Sequence, residues 1–179
     1  KGLGAGYQPV GAVLCSGAIY DAIAGGSGFF QHGHTYIGHP MAAAAANAVL
    51  ARLTDGETLP RVREAGEQLD ASLRARLGQH AHVGDIRGRG LFRGVELVAD
   101  RETKAPFDPA LKVHARIKKA DMQAGLMVYP MGGTIDGVHG DHVLLAPPFI
   151  VTDAQIDEIA DRLGDAVEQA VAEVLEAAG

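Results

Sequence analysis

KGLGAGYQPVGAVL, residues Lys1 to Leu14, sets bare backbone directly before an apolar run. Gly2, Gly4 and Gly6 alternate ahead of Pro9, which marks a loop that a ligand can approach closely. Val10 to Leu14 reads as a short buried strand. Cys15 reads as a core strand residue rather than a nucleophile, because no charged neighbour adjoins it. Lys1 is either a surface charge or a nucleophilic amine held where the glycines leave room. It is not a P-loop lysine, because no Gly-Lys-Ser/Thr follows a GxxxxG.

Working outward, Ser16 can cap a short helix through about Ala24. GGSGFFQHGH, Gly25 to His34, is a glycine-rich loop. Pro40 suits the first position of a helix running to about Leu53, since its missing N–H would be unpaired there anyway. That helix is built of small residues, so a close-packed neighbour is expected. One strand and one and a half helices cannot bury a core alone, so residues 1–55 read as the end of a larger domain. Residues 56–179 read as a small α+β domain with helices packed on a sheet. Its expected elements are a helix over Arg61–Leu77, strands Val83–Arg87 and Leu91–Val98, and a helix over Pro109–Ala124 capped by Asp108. Strands Leu126–Tyr129 and His142–Ala146 follow, separated by a glycine-bearing loop from Met131 to Asp141. A last helix begins after Thr152 or Asp153, with Ile156, Ile159, Leu163, Val167, Ala170 and Val174 as its inner stripe.

Two further motifs carry possible chemistry. In HGHTYIGHP, His32 to Pro40, a hydroxyl (Thr35) and backbone N–H groups precede a helix N-terminus. That suits a phosphate, although a glycine-bearing connector with Thr35 as a local cap is equally consistent. His32, His34 and His39 lack the H-x3-H spacing of helical ligands and have no carboxylate or thiol among them, so no metal site is expected. In GRGLFRG, Gly88 to Gly94, the glycines join two strands rather than a strand to a helix. It therefore fails as a dinucleotide fingerprint and reads as a tight connection. Arg87, Arg89 and Arg93 are left as candidates for an anion or subunit contact.

Composition bounds the class. The 179 residues are 47% hydrophobic and 21% charged, with a net charge of −6 and one cysteine. This is a folded chain with no disulfide framework, expected in a reducing compartment, the cytoplasm. No apolar run reaches the ~18 residues of a membrane span, and no basic stripe marks a nucleic-acid partner. The acidity is concentrated in Asp153 to Gly179, where eight acids meet one base, Arg162. It reads as a solvated helix face. A chain opening on Lys1 inside a glycine run, with no initiator methionine, reads as the interior of a longer polypeptide.

KGLGAGYQPVGAVL resembles the segment around the cofactor lysine of class III aminotransferases, which are pyridoxal-phosphate enzymes of fold type I. HGHTYIGHPMAAAA (His32 onward), RGRGLF (Arg87 onward) and LLAPPFIVT (Leu144 onward) resemble three further signatures, in order, across essentially the whole chain. The resemblance implies an α/β architecture: the end of the large cofactor domain in residues 1–55 and the small C-terminal α+β domain in 56–179.

Lys1 matches the catalytic lysine that holds pyridoxal 5'-phosphate as a Schiff base and moves a proton at the substrate Cα. It must act as an uncharged amine. Thr35 matches the residue that donates to the cofactor phosphate of the neighbouring subunit, which implies a homodimer or a dimer of dimers. The substrates implied are a small amine or amino acid and an oxo-acid acceptor. One departure stands out: Tyr129 occupies the place where several members carry an arginine for the substrate carboxylate. No arginine occurs between Ile117 and Thr152. Tyr129 can donate one hydrogen bond but not a bidentate ion pair. Nothing here matches the family's acidic partner of the pyridine nitrogen, its upstream phosphate-binding turn or its ring-stacking aromatic. These lie N-terminal to the lysine in the family, so the chain alone is expected to be inactive. The alternatives are a racemase or aminomutase reaction on the same scaffold, or a non-catalytic assembly module.

Overall fold

The structure, a computed structural model, describes residues 2–178. Its contacts separate two compact units, Lys1–Thr58 and Leu59–Gly179.

In the first unit, α1 (Gly17–Gly25) begins at Ser16, whose hydroxyl accepts from the Ile19 N–H at 3.4 Å. This satisfies one of the amides that a helix start leaves unpaired. Helix α2 (Pro40–Leu53) has proline at its first position and buries Ala42 and Ala46. The expected strand at Val10–Leu14 does not form: the segment has no regular structure, and Val13 and Leu14 are 89% and 88% exposed. A strand needs a ladder for its N–H and C=O groups, and this unit has no other strand among the described residues. Cys15, expected in a core, is exposed for the same reason.

The second unit is a four-stranded antiparallel sheet in the order β1-β2-β4-β3, with strands Val83–Arg89, Phe92–Leu97, Tyr129–Gly132 and Asp141–Leu145 numbered along the chain. Alternation along the strands divides its faces. Ile86, Val95, Val143 and Pro130 are in register across all four strands and all are buried. The core joins this face to α3 (Thr58–Leu77) through Leu69 and Leu73, to α4 (Val113–Gln123) through Val113 and Ile117, and to α5 (Asp153–Ala178) through Ile156, Leu163 and Val167. The inner stripe anticipated for α5 is therefore the one that packs. Thr152 starts that helix with a reciprocal cap: its hydroxyl accepts from the Gln155 N–H, and the Gln155 side chain accepts from the Thr152 N–H.

Three expectations shift. The helix anticipated over Pro109–Ala124 is a single 3-10 turn at Pro109–Leu111 followed by α4. Lys112 separates them at φ 49, a left-handed conformation that cannot continue a right-handed helix. Strand β3 starts at Tyr129 rather than Leu126, because the Leu126 N–H closes the end of α4 instead of joining a ladder. The acidic face of α5 is more than a solvated surface. Asp153 pairs with Arg61 of α3, and Asp165 and Glu168 both pair with Arg76 of α3.

GRGLFRG is the β1–β2 hairpin, held tightly against α3. A Cβ on Gly66 of α3 would lie 2.4 Å from the Gly90 carbonyl. Arg93 donates to the carbonyls of Gly66 and Gly88 and to Asp70, so its guanidinium is engaged in holding the hairpin to the helix.

Candidate cofactor and substrate residues

Thr35 opens a turn over residues 35–38 that leads into α2. The Ile37 N–H donates to the His34 carbonyl, the His39 N–H donates to the Tyr36 carbonyl, and Gly38 sits at φ 72. Such a reversal favours glycine because it lacks a Cβ. Thr35 is exposed, and among the described residues neither its hydroxyl nor its N–H has a hydrogen-bond partner. The helix start itself is less available than the sequence suggests. The His39 ring caps α2 by accepting from the Ala42 N–H at 3.4 Å, the His39 carbonyl accepts from the Ala43 N–H, and Pro40 has no N–H. A phosphate here would draw chiefly on Thr35 rather than on the amides of α2. This donor set, a hydroxyl and an unpaired N–H exposed on one turn, suits a phosphate group. His34 and His39 both use Nδ1 to accept from backbone N–H groups. Among the described residues, no group of three or more His, Cys, Asp or Glu is placed to hold a metal ion. Lys1 lies outside the described residues.

Tyr129 belongs to the second unit and Thr35 to the first, so each is placed within its own unit. Tyr129 heads β3 on the sheet face opposite the core and is 60% exposed. Its row across the sheet runs through Leu144 and Gly94 to Arg87. Arg87 shares this face with exposed Arg89 of the same strand, and it donates to Glu96 at 2.6 Å and to Asp85 at 2.9 Å. Those two carboxylates hold the guanidinium pKa above its ordinary value. Arg87 is thus a neutralised centre rather than a free anion receptor.

The sequence reading missed two histidines, one on this sheet and one on α4. His142 pairs across the ladder with Glu96 on one side and Met131 on the other, and its Nδ1 lies 2.5 Å from the Thr134 hydroxyl. Burial, with Arg87 second, lowers its pKa. His114 of α4 meets buried Asp141 through both its N–H and its Nδ1. No local signal marks either pair, because the partners are 8 and 27 residues apart in the chain.

Over residues 1–167 the chain matches the family model described as aminotransferase class-III. The chain belongs to that family. It is 43% identical over 176 residues to an uncharacterized aminotransferase of Schizosaccharomyces pombe, covering 96% of this chain and 38% of that protein. Among solved structures it is similar to a transaminase from the marine bacterium Virgibacillus, with a TM-score of 0.89 and 29% identity, covering 97% of this chain and 39% of the other. It is also similar to a PMP-bound aminotransferase from Vibrio fluvialis, with a TM-score of 0.85 and 31% identity, covering 97% of this chain and 37% of the other. The fold is therefore the α/β fold of the fold-type-I transaminases. The chain spans about two fifths of the length of the relatives it matches. No helix of the described residues is long and apolar enough to cross a membrane.

Proposed function

We propose that this chain serves pyridoxal-phosphate-dependent transamination, moving an amino group from an amine or amino acid to a carbonyl or 2-oxo acid acceptor. The observation that carries the reading is the class-III match running from Lys1 through residue 167. The unengaged donors of Thr35 support it. When bound, the cofactor supplies the carbonyl that accepts the amino group and an electron sink for the electrons of the substrate Cα–H bond.

The chain's own residues have separate tasks. Lys1 would hold the cofactor through Nζ and, once displaced by the amine substrate, would act as a neutral amine that moves the proton from the substrate Cα to the cofactor C4′. Thr35 donates its hydroxyl and N–H to the phosphate of the neighbouring subunit, in a homodimer or a dimer of dimers. Tyr129 offers one hydrogen bond to the substrate. Arg87 is held by Glu96 and Asp85, whereas Arg89, two residues further along β1 on the same sheet face, is exposed and has no side-chain partner among the described residues. The single cysteine fits a cytoplasmic setting.

The test is a panel of amine donors and 2-oxo acid acceptors with the complete polypeptide. Formation of a new amino acid supports transamination. Scrambling of a chiral substrate without any acceptor would favour a racemase instead. Lys1→Ala is expected to abolish turnover and the visible absorbance of the bound cofactor. Thr35→Ala is expected to weaken cofactor binding roughly 10-fold or more, the size of a hydrogen bond to a charged group. Retained cofactor affinity in Thr35→Ala would remove Thr35 from the site.

A further inference from the structure

Asp121 lies near the end of α4 and is 1% exposed. Among the described residues, neither of its carboxyl oxygens has a hydrogen-bond partner. The site explains why an acid is out of place there. The Leu126 N–H donates to the Asp121 carbonyl at 2.8 Å, and the Gly125 N–H donates to the Met122 carbonyl at 3.3 Å. Gly125 sits at φ 74. This paired closure ends a helix on a left-handed glycine, and the positions held here by Asp121 and Leu126 ordinarily form an apolar contact. An acid thus occupies an apolar position, at the end of the helix whose dipole also disfavours negative charge.

The charged groups around α4 leave Asp121 alone. From α5, Arg162 donates to the Ala124 carbonyl and to Glu158, and Glu173 pairs with Arg116 of α4. From β4, Asp141 is engaged by His114. β3 brings only Tyr129, exposed on the other face of the sheet. Burial is the sole cause acting on the Asp121 carboxyl, and it pushes the pKa up to about 7.

We propose that Asp121 is a proton-dependent latch: neutral, it packs as the apolar member of the turn closing α4, and ionised, it favours opening of that turn and of the Leu126–Val128 connector into β3. The sign follows from linkage. A carboxyl that holds its proton more tightly when packed stabilises the closed turn fully at low pH. That contribution is lost as pH rises from about 4 towards about 7.

The experiment is hydrogen exchange by mass spectrometry on the complete, cofactor-loaded polypeptide between pH 5 and pH 8, read as the ratio of measured to intrinsic rate. For the peptide spanning Ala124–Val128, the ratio should rise by up to about tenfold per pH unit to pH 7 and then level off. The peptide of β2, Phe92–Leu97, should show no such slope. Asp121→Asn and Asp121→Leu should flatten the rise. A flat wild-type ratio overturns the proposal, as does the same slope in β2 or in both variants. If the variants fail to fold, the two wild-type peptides decide it alone.

Discussion

Gly66 shows how much one residue can decide. The sequence offers a glycine in the middle of a helix, where it costs about 1 kcal/mol relative to alanine by propensity. The structure explains its presence, because α3 and the Gly90 turn approach too closely for a Cβ. Gly66→Ala is therefore expected to destabilise the protein by about 1–3 kcal/mol despite the gain in helix propensity, as overpacking does. Chemical denaturation would read it; a variant as stable as the parent would mean the hairpin can retreat at no cost. Leu163 carries the opposite lesson. It is fully buried beneath the sheet, so Leu163→Ala should cost about 2–5 kcal/mol in the same measurement.

At the level of elements, termini decide most of the outcome. The Pro40 start of α2 and the Ser16 and Asp108 caps all lie where local chemistry puts them. At Thr152 the cap is reciprocal, so Thr152→Ala should lower stability by about 1 kcal/mol, and Thr152→Ser by much less. A thermal melt showing equal loss in both would assign the effect to packing rather than capping. Strand β3 was the least legible element. Leu126 and Val128 look like strand residues by composition, but their apolar side chains pack against the core while the Leu126 N–H turns back to α4. Periodicity could not separate a buried connector from a buried strand.

For the whole molecule, the two units differ in what they bury. The hydrophobic core runs from Ala65 to Val174, entirely within the second unit. The buried apolar residues of the first are Ala42 and Ala46. Residues 59–179 produced alone are thus expected to unfold cooperatively, and residues 1–58 alone to show no cooperative transition by circular dichroism. A sharp melt from the shorter piece would mean that it buries more than its structure shows.

The amino-acid sequence was sufficient for whatever depends on near neighbours and ordered motifs. Caps, the proline start, the α5 stripe and the class-III resemblance all belong there, because each is set by short runs of neighbouring residues or by the order of such runs. Tertiary structure alone decided what depends on distant partners. Only the cross-strand register shows that Glu96 reaches Arg87 and completes its neutralisation. Only packing shows that Asp121 is shut away from every donor among the described residues. The same reason leaves Val10–Leu14 without regular structure and exposed: an apolar run becomes a strand only where another backbone completes its hydrogen bonds, and that requirement is not written in the run itself.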